Sequence, residues 1–304
     1  MPPAPIRAAP AAPMPAAEST KESLVPSLLP VLARGALLSP FKRPRSDAPF
    51  PRTPLTLPGV RVDLPHLAAY ERVCGFPTGV DALPLTYPHV LAFPLAMRMM
   101  AGQAFPLPLL GLVHTSIEIT QREALGPDGE YELTVRVAEL APHRRGTQAV
   151  VVTEARTGGR VVWDSASTYL ARHRTTAPAA PPPAEDRAPL PALAEWRLAE
   201  DVGRRYAAVS GDRNPIHLHP LTARLFGFPR AIAHGMWTVA RCLAEQPVPA
   251  AVHLRAEFKA PVLLPGTVTY AADGRRFELR GGDRAHLIGE LRPEARAVTR
   301  GGPP

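Results

Sequence analysis

Hydrophobic and polar residues alternate in two separate parts of the chain, and the alternation predicts two sets of β-strands. The first set is expected at 111–120, 131–140, 147–157 and 160–171. The second set is expected at 251–259, 266–272, 275–280 and 285–291. In each part a helical segment, a loop and a longer apolar helix precede the strands. This order predicts an α+β fold, with a helix laid on an antiparallel sheet in each part.

Segments rich in proline and alanine separate these two parts of the 304-residue chain. Such segments contain too few large apolar residues to form a core, so they are expected to be tails or linkers. The predicted division is a partly disordered tail at 1–50, a first domain at 51–174, a linker at 175–193 and a second domain at 194–298.

The two parts also resemble each other, as an internal duplication would predict. The matched segments are 70–76 with 206–212, 92–95 with 233–236, and 113–114 with 252–253. This comparison places Phe76 opposite Asp212 and Pro94 opposite Gly235. Proline has no backbone N–H to donate, so the first part lacks what Gly235 offers. We therefore expect one chemical site per chain, in the second part.

Charge and cysteine usage narrow the function classes. Lys and Arg exceed Asp and Glu by 35 to 27, but the basic residues are scattered, which argues against nucleic-acid binding. A phosphate-bearing small molecule or an acidic carrier protein would fit this charge. Two cysteines are too few for a disulfide framework, and a cytoplasmic location is expected. The apolar tract 24–38 is broken by prolines, so no membrane span or signal peptide is predicted.

The candidate chemistry lies in the segment from Asp212 to His217, where a carboxylate, a carboxamide and an imidazole surround Pro215. A plain turn would explain Asp and Asn at such positions. The alternative is that Asp212 and His217 reach one pocket and move a proton between water and carbon. Asn214 would then hold the loop or the water.

A second segment supplies Gly235, at the start of an apolar helix predicted at 236–245. Free N–H groups at a helix start suit an anionic oxygen, although a glycine there also permits close packing. His234 is expected either to line the pocket or to cap the helix. Ser210 lies beside Asp212 in the sequence, but a nucleophilic serine needs a general base in contact.

Metal and nucleotide sites are not predicted. His217 and His219 have the spacing of a metal pair on a strand, but Pro215 and Pro220 argue against a strand, and no Asp, Glu or Cys partner stands out. The glycine patterns of phosphate loops, dinucleotide sites and serine hydrolases are not present in the sequence.

The second part resembles the MaoC-like hydratases and dehydratases, the family of R-specific enoyl-CoA hydratases. The resemblance covers about 199–266 and rests on Tyr206 and on segments 210–212, 214–217, 227–228, 232–236, 258–262 and 265–266. The first part resembles, much more weakly, the degenerate domain of two-repeat members.

This resemblance implies a double hot-dog fold, in which two repeats join their sheets side by side. It implies hydration of trans-2-enoyl thioesters of coenzyme A or acyl carrier protein to (R)-3-hydroxyacyl thioesters, or the reverse, with no cofactor or metal. Asp212 and His217 would be the catalytic pair, Asn214 a supporting residue and Gly235 the oxyanion-hole amide. The first repeat would form the wall of the acyl tunnel, with space freed by the loss of polar side chains.

Other functions remain open from the sequence alone. A thioesterase on the same fold would release a free thiol from a saturated acyl thioester. A non-catalytic acyl-thioester binding module would not need Asp212 and His217, and a DNA-binding lipid sensor would need a helix-turn-helix that is not visible. The chain is expected to act as a monomeric double hot-dog or as a homodimer of it.

Overall fold

The computed structural model describes residues 28–175 and 190–294, and these form a continuous ten-stranded antiparallel sheet with helices on one face. The strands are β1 (Leu55–Arg61), β2 (Leu112–Gln121), β3 (Glu130–His143), β4 (Gly146–Thr157), β5 (Arg160–Arg172), β6 (Ala192–Leu198), β7 (Val252–Phe258), β8 (Gly266–Ala272), β9 (Arg276–Gly281) and β10 (Arg284–Pro293). The helices are α1 (Leu28–Leu38), α2 (Leu64–Cys74), α3 (Tyr87–Ala101), α4 (Val202–Ser210), α5 (Pro215–Leu218), α6 (Pro220–Leu225) and α7 (Gly235–Leu243).

The order of the strands shows the duplication directly. Across the sheet the order is β1-β3-β4-β5-β2-β7-β10-β9-β8-β6, so the second five strands repeat the first five in reverse. β2 and β7 join the halves, with Ile117 opposite Ala256. The predicted double hot-dog architecture, with two repeats and a shared antiparallel sheet, is confirmed.

All eight predicted strands are present, each within three residues of its expected ends. The two strands that were not predicted, β1 and β6, lie at the edges of the sheet. β1 contains Pro58 and Gly59, and its register against β3 shifts between Leu57 and Val60. Proline and glycine are tolerated at an edge because one side of the strand needs no partner. β6 begins at Ala192, inside the range predicted as a linker.

Helices α2 and α4 face each other across the junction of the repeats. The rings of Tyr70 and Tyr206, which the sequence comparison matched, lie 6.2 Å apart between centroids and are both buried. Trp237 on α7 donates a hydrogen bond from Nε1 to the Val73 carbonyl of α2, at 3.0 Å. The repeats therefore share one core, and side chains of the first repeat come close to residues of the second.

The predicted tail at 1–50 includes helix α1, which packs on α3. A Cβ at Gly35 would lie 2.9 Å from Ala101 Cβ, so glycine allows the two helices to approach closely. Lys42 Nζ donates a hydrogen bond to the Gly102 carbonyl at the end of α3, at 2.9 Å. Residues 1–27 of the tail and 176–189 of the linker lie outside the described ranges. No helix in the described ranges is long and apolar enough to cross a membrane.

Candidate active site

The loop after α4 carries Asp212, and glycine sets its direction. α4 ends at Gly211, whose φ of 76° lies in the left-handed region that favours glycine. The Asp212 N–H donates to Ser210 Oγ at 3.2 Å, and Asp212 Oδ1 accepts the Asn214 N–H at 3.1 Å. Ser210 therefore orients the loop, and the side chain of Asp212 is held in a defined direction while remaining partly exposed.

A short helix, α5, positions His217. Asn214 caps it by accepting the Ile216 N–H at Oδ1, at 3.4 Å, and Pro215 occupies its first position. Asn214 thus supports the loop through its backbone and its side chain. A Cβ at Gly203 of α4 would lie 2.0 Å from the His217 carbonyl oxygen, so only glycine lets α4 and α5 approach this closely.

His234 lies against His217 and beside Asp212. The two imidazole rings stack with 3.7 Å between centroids, and His234 Nε2 is 3.0 Å from the Asp212 carbonyl oxygen and 3.9 Å from Oδ2. Although His234 precedes the first turn of α7, its side chain makes no capping hydrogen bond. Of the two roles considered for His234, the structure places it in the wall of the site.

Hydrogen bonds fix which nitrogen of each imidazole carries a proton. His217 Nδ1 lies 2.8 Å from the Ile232 carbonyl, so Nδ1 holds the hydrogen and Nε2 has a free lone pair. His234 Nε2–H likewise donates to the Asp212 carbonyl, which leaves Nδ1 as an acceptor. Both rings are buried. The site therefore presents two imidazole lone pairs and one carboxylate together.

Burial keeps both imidazoles neutral. It lowers the pKa of His217 below its ordinary value of 6.5, against the opposing effects of the Asp212 charge and the Ile232 carbonyl. It lowers the pKa of His234 much further, and neighbouring His217 adds to that shift. At neutral pH His217 is therefore able to accept a proton at Nε2.

Gly235 is the first residue of α7, and no described residue accepts its backbone N–H. The N–H groups of a first turn have no intrahelical partner, and the helix dipole favours negative charge there. A Cβ at Gly235 would lie 2.8 Å from Phe258 Cε1. Both explanations for a glycine at this position therefore hold, because it allows close packing against Phe258 and its backbone N–H is available.

The ligand atoms of Asp212, His217 and His234 all lie within 4.8 Å of one another. Such a set has the composition of a small cation site, and it equally suits a single water molecule that donates to two acceptors. His219 does not belong to this set. Its ring is exposed, and its Nδ1 accepts the Leu221 N–H at the start of α6. In this set His217 is joined by Asp212 and by His234, which folding brings to it from 17 positions away.

The sequence comparison matched Phe76 with Asp212 and Pro94 with Gly235. The structure supports the first of these matches and not the second. Phe76 follows the left-handed glycine at the end of α2, as Asp212 follows Gly211, so a phenylalanine replaces the carboxylate. Pro94, however, lies in the interior of α3 and not at a helix start. The amide at the start of α3 belongs to Tyr87, so Pro94 is not the positional counterpart of Gly235.

Three polar residues of the first repeat reach this region and were not predicted. His89 lies on α3, His114 on β2 and Tyr169 on β5, and the charge of Asp212 acts on both His89 and Tyr169. No chemical signal in the sequence points to them, because they belong to an apolar helix and to two strands. The first repeat has therefore lost the counterpart of Asp212, as expected, but it keeps three polar side chains here.

Comparison with known proteins points to one family. The sequence model of the MaoC like domain matches residues 175–280. The chain is 40% identical over 254 residues to 3-hydroxyacyl-thioester dehydratase X of Mycobacterium tuberculosis, covering 82% of this chain and 90% of that protein. It is 27% identical over 216 residues to enoyl-CoA hydratase ChsH3 of the same organism, covering 64% of this chain and 69% of that protein.

Solved structures show the same relationship. The crystal structure of HtdX from Mycobacterium tuberculosis superposes with a TM-score of 0.71 and 38% identity, covering 79% of this chain and 99% of that one. A MaoC-like dehydratase from Phytophthora capsici superposes with a TM-score of 0.64 and 18% identity, covering 84% of this chain and all of that one. At that identity the second likeness concerns the fold alone.

Proposed function

This chain belongs to the family of MaoC-like dehydratases, and we propose that it adds water reversibly to trans-2-enoyl thioesters to give (R)-3-hydroxyacyl thioesters. It is a hydro-lyase, as its relatives named as a 3-hydroxyacyl-thioester dehydratase and an enoyl-CoA hydratase support. The acyl carrier is coenzyme A or acyl carrier protein. The observation that carries the proposal is the convergence of Asp212, His217 and His234, with the free Gly235 amide directly after His234 at the start of α7.

The substrate is placed by the Gly235 N–H, which donates to the thioester carbonyl oxygen. One water molecule lies between the Asp212 carboxylate and His217 Nε2, both of which accept its hydrogens. The double bond lies next to the carbonyl, so this arrangement brings the water to C3 and the catalytic pair to C2. In this proposal the carrier lies on the exposed side of the loop, next to Arg213, and the acyl tail lies on the buried side of the site.

Addition of water then needs no other reagent. The water oxygen forms a bond with C3, one water O–H bond breaks, and its proton passes to His217 Nε2, which is neutral at pH 7. Electrons of the double bond move towards the thioester oxygen, where the Gly235 N–H stabilises the enolate-like charge. The catalytic pair returns one proton to C2, which restores its resting state. Elimination of water follows the same steps backwards.

The test of this reaction is the loss of the conjugated chromophore of a trans-2-enoyl-CoA. Asp212→Asn and His217→Gln should each lower kcat by about 10²–10⁴-fold, the usual contribution of a general acid or base. His219→Asn is a matched control two residues from His217, because asparagine can still cap α6. Equal activity in all four proteins, or no activity with any chain length, would rule out the hydratase.

The finer parts of the proposal have their own measurements. Chiral analysis of the 3-hydroxyacyl product tests the R configuration, and parallel assays with coenzyme A and carrier-protein thioesters test the carrier. Release of free thiol from a saturated acyl thioester would instead identify a thioesterase. We also propose a cytoplasmic location, since Cys74 and Cys242 are buried free thiols.

A further inference from the structure

A cluster of polar side chains in the first repeat lies beyond the catalytic residues. The His114 ring stacks on Tyr169 with 4.6 Å between centroids and lies parallel to the His89 ring at 6.1 Å. The three residues come from β2, β5 and α3, so three separate elements place them together. None of them takes part in the proposed chemistry.

Phe258 connects this cluster to the active site. Its ring lies 4.9 Å from the His114 ring, and the same ring would contact a Cβ at Gly235. The charge of Asp212 also acts on His89 and on Tyr169. The cluster therefore lies within a few side chains of both the carbonyl-binding amide and the catalytic carboxylate.

One polar atom of this cluster has no partner. His114 Nε2 is buried and makes no hydrogen bond, and neither does the Oγ of Ser165, which lies on the same face of β5 as Tyr169. Buried polar groups are nearly always hydrogen-bonded, because an unpaired one destabilises the folded protein. The unpaired nitrogen is therefore available to a polar group of a bound substrate.

The charges in this region indicate whether the polar group that binds here is charged or neutral. Burial lowers the pKa of His89 to about 4 and that of His114 to about 3, with Asp212 opposing the first shift and His89 adding to the second. Both imidazoles are neutral at pH 7, and Asp212 is the facing acidic group. A carboxylate at the end of an acyl chain would be repelled by Asp212 without gaining a cation. A neutral oxygen fits.

We propose that His89, His114 and Tyr169 form a distal polar subsite that binds a hydroxyl or keto oxygen on the acyl chain, beyond the reacting double bond. The proposal rests on the function proposed above, since it needs an acyl thioester held by Gly235. Because Phe258 lies close to both Gly235 and the His114 ring, an acyl chain that continues from Gly235 along Phe258 reaches these residues. The natural substrate class is then oxygenated enoyl thioesters.

The experiment compares enoyl-CoA substrates of equal length, either plain or carrying a hydroxyl or a keto oxygen moved one carbon at a time along the chain. The wild-type protein should turn over the best oxygenated substrate with a kcat/KM about tenfold above that of the plain chain, as one buried hydrogen bond predicts. A hydroxyl fits both tautomers of His114, whereas a keto oxygen can only accept, either from an Nε2–H of His114 or from the Tyr169 hydroxyl.

His114→Phe keeps the ring stack and removes the nitrogen, so it should reduce the ratio of oxygenated to plain kcat/KM to near one. Tyr169→Phe, which removes only a hydroxyl, should reduce it in part. His253→Phe is the control, because His253 lies on β7 outside this cluster and bonds to Thr120 at 3.2 Å. In His253→Phe the ratio of oxygenated to plain kcat/KM should stay at the wild-type value.

The result that overturns the subsite is turnover of plain chains with no preference for any oxygenated chain, which would mean that only an ordered water satisfies His114. An equal loss with both substrate types in His114→Phe would assign that residue a structural role and also overturn it. Failure of every enoyl thioester to react would instead overturn the proposed reaction. The wild-type comparison decides the case even if a variant does not fold.

Discussion

At the scale of single residues, Gly235 has two proposed roles, close packing against Phe258 and donation of its backbone N–H. Two substitutions separate these roles. Both Gly235→Ala and Gly235→Pro add a Cβ that meets the Phe258 ring, but only proline removes the N–H. Proline is well tolerated at the first position of a helix, and His234 already has the extended backbone, ψ 137°, that a following proline requires.

We therefore expect Gly235→Ala to lower stability by about 1–3 kcal/mol through overpacking. Gly235→Pro should in addition lower kcat by about 10²–10³-fold, the effect of removing one oxyanion-hole donor. Phe258→Leu in both backgrounds provides the control for crowding. If the proline variant keeps the kcat of the alanine variant, the Gly235 amide does not stabilise the oxyanion.

At the scale of elements, the two repeats offer a matched pair of helix ends. α4 ends in Gly211 and α2 in Gly75, with φ of 76° and 85°, and a non-glycine residue in this region costs about 1 kcal/mol. Gly211→Ala and Gly75→Ala should therefore reduce the free energy of unfolding by similar amounts. Only Gly211 leads directly into a catalytic residue, Asp212, whereas Gly75 leads into Phe76.

The expected difference is in activity: Gly211→Ala should lower kcat/KM much more than Gly75→Ala, as measured with the enoyl-CoA assay beside urea unfolding. Gly211→Asn is the conservative variant, since asparagine adopts left-handed backbone more readily than alanine. It should recover part of the lost activity. Equal activity losses at the two helix ends would show that the loop position of Asp212 does not depend on the helix end.

The strands also show which elements the sequence pattern could predict and which it could not. The eight inner strands have alternating burial, which follows from one face packing on helices, and their alternation predicted them. β1 and β6 have mostly exposed or half-buried residues and little contrast between faces, so the pattern was weak. The loop from Asp212 to His217 was recognisable because its chemistry is local, whereas the contact of His114 with Phe258 depends on two strands from different repeats.

At the scale of the whole molecule, three buried histidines and the half-buried His114 lie where the repeats join. The first repeat supplies His89 and His114, and the second supplies His217 and His234, with burial lowering the pKa of each below its ordinary value. In the unfolded chain these residues titrate near 6.5. The unfolded state therefore binds more protons below that pH, and the folded state loses stability as the pH falls.

For His89 and His114, with folded pKa values of about 4 and about 3, this loss begins at pH 6.5 and continues down to those values. At pH 5 it amounts to about 2 kcal/mol for each, from about 1.5 pH units at 1.36 kcal/mol per unit. Urea unfolding at pH 7.5 and pH 5 should show His89→Leu and His114→Phe each losing about 2 kcal/mol less than wild type. His219→Asn, at an exposed position, should lose as much as wild type. An unchanged pH dependence in His89→Leu and His114→Phe would mean that both imidazoles titrate in the folded protein as they do in the unfolded chain, and that burial does not lower their pKa values.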